Sequence, residues 1–237
     1  MDKNETRASC GRACPHGEIK GWGRISALFP DHKIYVEPFA GGLDVLMAKS
    51  RSRVEVLNDE YGDLAGFFRH LRIHHDALLA EIEAVLSSRQ EYDRPRGAEE
   101  SDTELGRAIS FFFRRIFVLG DEAILSRAFA VRARLSRVCI EAKPPLEVIR
   151  FFDGPETLFF VDLPAAWRVP ARLAELRDVL SVCSARWIVL CGGPEVVEAF
   201  SGFRSLALAG CTVVFSKTFN AENETCFSLS GWKVEAA

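Results

Sequence analysis

Long apolar runs are missing from this chain. No stretch of about 18 consecutive apolar residues occurs in its sequence, so no membrane span is expected. The polar opening Met1-Asp2-Lys3-Asn4-Glu5-Thr6-Arg7 lacks an apolar segment of signal-peptide type, and a cytoplasmic location is predicted. A basic excess is lacking too. Thirty Lys and Arg stand against 33 Asp and Glu, for a net charge of −3, which excludes the global positive field of a strong nucleic-acid binder and leaves only local basic surfaces. An even disulfide framework is absent: the seven cysteines are Cys10, Cys14, Cys139, Cys183, Cys191, Cys211 and Cys226. Cys139, Cys191 and Cys211 lie in apolar, strand-like runs and read as reduced core thiols. Cys10-x-x-x-Cys14-x-His16 has the spacing of half a metal site, but no second half follows and no metal is predicted. No internal repeat is visible.

What is present begins with Ile34-Tyr35-Val36-Glu37-Pro38-Phe39-Ala40-Gly41-Gly42, a β-favouring run that ends in an acid and passes through paired glycines. The helical pattern from Leu43 to Lys49 follows, so the stretch predicts strand, glycine turn and helix. Such a turn lets backbone approach a ligand closely, although many αβ units need it only for packing. The next predicted strand, Val54-Glu55-Val56-Leu57, runs into Asn58-Asp59. An acid at the end of a second strand, about 20 residues after the first turn, is placed to bind a ribose diol; it is equally placed to cap the helix starting near Gly62.

Helices are expected from Ile19 to Phe29, Tyr61 to His70 and Ala77 to Leu86. Residues 87 to 103 are polar and turn-rich, with a helix starting near Asp102, and they mark an insertion boundary. Ser110-Phe111-Phe112-Phe113 is expected in the core. Further strands are predicted at Val138–Glu141, Thr157–Val161, Trp187–Cys191, Cys211–Phe215 and Thr225–Leu229, with helices at Pro145–Phe152, Arg172–Val182 and Glu195–Phe200. The alternation implies an α/β fold: a largely parallel sheet, helices on both faces, and a late antiparallel pair. Residues 1–86 and 136–237 form the predicted αβ domain, and 87–135 a short helical insertion. Between Arg107 and Arg137 lie seven arginines against two acids, Asp121 and Glu122. This is the local basic surface that composition leaves open, read either as phosphate contacts or as solvated helix faces.

Three blocks in this order resemble the Dam-like family of DNA adenine methyltransferases. They are Tyr35 to Gly42; Glu55 to Glu60 with Phe67 to Arg72; and Arg134 to Val138 leading to Phe160-Val161-Asp162. The resemblance implies a Rossmann-like methyltransferase fold with S-adenosylmethionine as cofactor and the 6-amino group of adenine as acceptor. It also implies that Pro38, Phe39, Ala40, Gly41 and Gly42 wall the methionine end of the cofactor and that Asp59 holds its ribose, with Glu37 and Asn58 completing that side. Asp162 and Pro164 would form the catalytic side, and Arg114, Arg115, Arg127 and Arg132 would touch DNA.

The departures from the family pattern gather at the acceptor. The family follows the acid with Pro-Pro-Tyr, where the acid and a backbone carbonyl accept hydrogen bonds from the target amine and the ring stacks on the flipped base. This chain has Asp162-Leu163-Pro164-Ala165, without the ring, and such stacking is worth roughly 1–3 kcal/mol. Trp167 stands two positions further on. The family's Gly-Gly-Lys element aligns with His16-Gly17-Glu18, and Arg168-Val169-Pro170 runs almost directly into the next helix. A weakly active or non-catalytic member that binds DNA or a protein is therefore expected. The alternatives are an active adenine methyltransferase and a methyltransferase for another amine.

Overall fold

The computed structural model describes residues 25–41, 43–87, 103–112, 128–208 and 211–216. Among these residues seven strands form one sheet: β1 (Ile34–Glu37), β2 (Val54–Asn58), β3 (Val138–Glu141), β4 (Thr157–Asp162), β5 (Arg186–Cys191), β6 (Arg204–Leu208) and β7 (Cys211–Phe215). Their order is β3-β2-β1-β4-β5-β7-β6. The first five are mutually parallel, whereas β7 runs antiparallel to both β5 and β6. The fold is thus α/β with a mostly parallel sheet, compatible with a Rossmann-like arrangement.

Helices α1 (Asp44–Ala48), α2 (Asp63–Ile73), α3 (His75–Ser87), α4 (Glu104–Phe111) and α5 (Ala128–Leu135) fall between β1 and β3. Helices α6 (Pro145–Phe152), α7 (Pro170–Val182) and α8 (Pro194–Ala199) fall between β3 and β6. Strand alternation sorts side chains between the two faces. Tyr35, Leu57, Leu158, Phe160 and Ile188 join one core with Phe67, Leu71, Leu78 and Phe111 from the first helices. Val36, Val56, Phe159, Val161 and Val189 join the other with Ile149, Leu173, Leu176 and Val196 from the later ones. The face changes where the chain reverses its direction across the sheet, as right-handed crossovers require.

Phe111 and Phe112 are buried, with ring centroids 5.7 and 6.2 Å from that of Phe67. The aromatic run therefore belongs to the core, and the described part of the 87–135 segment shares that core. Thr103 caps α4, its hydroxyl accepting from the Gly106 N–H at 3.0 Å. The late antiparallel pair involves a strand that the sequence reading missed: β6, where Arg204-Ser205-Leu206-Ala207-Leu208 pairs with β7. The predicted strand Thr225–Leu229 lies outside the described residues, as do Cys10, Cys14 and His16. Cys191 is buried as expected, but Cys139 is exposed. It sits on β3, which among the described residues has a neighbouring strand on one side only.

One buried polar cluster crosses the helix–sheet interface. Glu55 on β2 accepts from Lys49 Nζ at 2.7 Å, from the Ser52 N–H at 3.0 Å and from Arg134 Nη2 at 2.6 Å, with Arg134 Nη1 on its other oxygen. Arg134 Nε donates to the Leu46 carbonyl at 3.1 Å, and Lys49 Nζ lies 4.3 Å from the centre of the Tyr35 ring. These charges tie α1, β1, β2 and α5 together.

Candidate functional site at the strand switch point

After β1 the chain turns toward β2, and after β4 it turns the other way, toward β5. Because β1 and β4 are neighbours, their carboxyl ends flank the sheet's topological switch point, where open α/β sheets take their ligands. The predicted cofactor turn leaves β1 here and the predicted catalytic acid ends β4. The two meet: a Cβ on Gly41 would stand 3.9 Å from Asp162 Oδ2. Gly42 lies outside the described residues.

Asn58 fixes the turn. Its Nδ2 donates to the carbonyls of Pro38 and Lys143, both at 2.9 Å, and its Oδ1 accepts from the Lys143 N–H at 2.9 Å. Its own carbonyl accepts from the Ala40 N–H at 2.7 Å. The side chain is fully buried and both amide protons are spent, so Asn58 holds the turn in place and offers a ligand no donor. Asn58→Ala leaves the Pro38 and Lys143 groups without these partners, and a loss of about 1–3 kcal/mol in urea unfolding is expected.

Asp59 is buried, accepting from the Tyr61 N–H at 3.2 Å and the Ala65 N–H at 3.4 Å. The Gly62 N–H reaches the Asp59 carbonyl, and Gly62 takes φ +77°, a left-handed conformation suited to glycine. Asp59 therefore performs the helix-start role that the sequence left open beside the ribose role.

Glu37 is also buried and accepts from the Tyr35 hydroxyl at 2.8 Å. Burial pushes its carboxyl up to about 8; the Tyr35 hydrogen bond opposes that rise and the nearby Asp162 charge adds to it. At neutral pH the end of β1 thus carries a mostly protonated Glu37.

Phe39 meets Trp167 edge to face, with ring centroids 4.8 Å apart. Trp167 is buried, donates from Nε1 to Glu60 at 3.2 Å and lies 5.3 Å from the Arg172 guanidinium. Its ring packs on Phe39 of the predicted cofactor turn instead of standing free as a stacking surface.

The backbone after Asp162 is occupied as well. Arg168 donates to the Leu163 carbonyl from Nε at 3.0 Å and Nη2 at 2.8 Å, and from Nη1 to the Gly192 carbonyl at 3.3 Å. A Cβ on Gly192 would collide with that guanidinium, so a larger residue there would push the Arg168 side chain aside. The Pro164 carbonyl accepts from the Trp167 N–H at 2.9 Å, closing a short 3-10 turn over Ala165–Trp167. Sequence reasoning missed Arg168. Nothing local distinguishes an arginine that reaches back five residues and across to the end of β5 from one that faces solvent.

Of the predicted DNA-contacting arginines, Arg132 is exposed on α5, while Arg114, Arg115 and Arg127 lie outside the described residues. Arg134, counted in the same basic segment, is spent on Glu55 in the interior. No helix among the described residues is long and apolar enough to cross a membrane. No protein-family model matches the chain, and no curated protein matches it either.

Proposed function

We propose that this chain is a Dam-like adenine methyltransferase homologue that keeps the cofactor side of the site and has closed its acceptor side, so that it acts by binding. The observation that carries this reading is the Arg168 clamp on the Leu163 carbonyl. In the resembled family the acid and a backbone carbonyl receive the target amine. Here the carbonyl next to Asp162 already accepts two charge-assisted N–H donors from its own chain. Displacing them would leave a half-buried guanidinium without those acceptors, at a cost an incoming neutral amine does not repay. The missing ring at Ala165 and the packed Trp167 point the same way.

The cofactor side fits better. The turn from Pro38 to Gly41 stands at the switch point, held from beneath by Asn58 and beside Phe39 and Trp167. S-adenosylmethionine, when bound, would supply an electrophilic methyl group. The residues that would hold it are Pro38, Phe39, Ala40 and Gly41, with Glu37 and Asp162 lining the crevice. Asp59 could reach a ribose only by sharing a carboxylate that already serves two backbone N–H groups. One observation favours an active enzyme as the second reading: Asp162 ends β4 beside Gly41, where a catalytic acid belongs.

Calorimetry with S-adenosylmethionine should show binding heat, whereas tritiated-methyl transfer to unmethylated genomic DNA should stay at background. Incorporation abolished by Asp162→Ala would establish the active reading, and no heat at millimolar cofactor would remove both. DNA as a partner would show as retardation in a gel-shift assay that weakens between low and moderate salt. If no retardation occurs at either salt, a protein partner is the remaining form of the binding role.

A further inference from the structure

We propose that His70 and His74 form a two-histidine site for a borderline divalent cation such as Zn²⁺, independent of the switch-point crevice. His70 lies on α2 and His74, four residues on, is its C-cap, a spacing that puts side chains on one helix face in adjacent turns. His74 caps the helix, its N–H donating to the His70 carbonyl at 2.7 Å, so the last turn keeps helical register. The two ring centroids are 5.5 Å apart with planes inclined by 43°. A metal at about 2.0–2.1 Å from one nitrogen of each imidazole, at a near-tetrahedral angle, sets the centroids about 5 Å apart. The observed separation is close to that value.

The hydrogen bonding of His70 suits that role. Its Nδ1 lies 2.8 Å from the Gly66 carbonyl, which can only accept, so Nδ1–H donates there and Nε2 is the nitrogen that would face a metal. A histidine that donates one ring N–H to a backbone carbonyl and presents the other nitrogen to a metal is the usual arrangement of a ligating imidazole. His70 is buried, its ring held by the Gly66 carbonyl, whereas His74 is exposed. The nearby cation Arg72 is partly directed away, donating to the Val138 carbonyl at 2.8 Å. No group of three or more His, Cys, Asp or Glu side chains converges among the described residues. The pair therefore supplies two ligands and solvent the others, and Zn²⁺ suits nitrogen donors of this kind.

The test is a Zn²⁺ titration of the full chain carrying Cys10→Ser, Cys14→Ser and His16→Ala, which silences the N-terminal donors. Imidazole ¹⁵N resonances are followed by NMR. The His70 Nε2 signal and one His74 ring nitrogen should shift together and saturate at the same Zn²⁺ concentration. His74→Ala should weaken the His70 response by about tenfold or more, the scale on which metal-site changes act, with the far-ultraviolet circular dichroism unchanged. His32→Gln should leave the titration as it was. Unmoved signals, separate saturation of the two histidines, or an unaltered His70 response in His74→Ala would overturn the proposal.

Discussion

Glu55→Ala is expected to lower the stability of the fold by about 3–5 kcal/mol, the usual cost of removing one partner from a buried ion pair. The reason lies in what remains. Lys49 and Arg134 both point at the Glu55 carboxylate from the buried side of β2, with side chains 3% and 8% exposed. Without the carboxylate, two like charges face each other where water does not reach. For a chain of this size the loss corresponds to a fall of about 10 °C or more in melting temperature. Replacing all three charges together, as Lys49→Met, Glu55→Met and Arg134→Met, should recover part of the loss, because apolar groups of similar volume often substitute for a buried ionic cluster. If Glu55→Ala melts with the parent, the cluster contributes nothing to stability.

The same residue sets an acid limit. The donors on Glu55 outweigh its burial and hold its carboxyl down at about 2, below the ordinary 4.5. A carboxyl depressed in the fold stabilises it at pH above the ordinary value, and that contribution is lost as pH falls from about 4.5 through 2. Denaturant midpoints should therefore drop steeply over that range.

Glu37→Gln is expected to do the opposite at the alkaline end. The Glu37 carboxyl is raised from 4.5 to about 8 in the fold, chiefly by burial. A raised carboxyl contributes stability that is complete below its ordinary value and is lost as pH climbs through the folded one, since the unfolded chain ionises first. The parent should thus lose a few kcal/mol between about pH 5 and pH 8.5, at about 1.4 kcal/mol for each unit of displacement. Glutamine cannot ionise, and its carbonyl can still accept from the Tyr35 hydroxyl. The variant should match the parent near pH 5 and exceed it by a few kcal/mol at pH 8.5. Parallel unfolding curves for the two proteins across this range would show that Glu37 ionises freely in the fold.

Both effects come from carboxylates inside strand sequences, and the sequence treated them unequally. Glu37 stood out because it closes an apolar run and opens a glycine turn. Glu55 did not, because a charge one residue into a strand ordinarily faces water. Its partners are six and 79 residues away, and only the packing of α5 against β2 brings Arg134 to it.

The sequence by itself determined the αβ alternation, the two-faced sheet, most element boundaries and the location of the turn after β1. These depend on periodicities and on glycine and proline positions, which act over a few residues. It also brought the turn and Asp162 forward as two halves of one site. Only the tertiary structure decided how those halves are built. The order of strands places β1 against β4, Asn58 and Asp59 prove to be spent on holding backbone, and Arg168 closes the carbonyl beside Asp162. Each of these is a hydrogen bond or contact between segments distant in the chain or aimed in a direction the sequence does not encode. Local propensity carries no record of such partners, and the fold alone selects them.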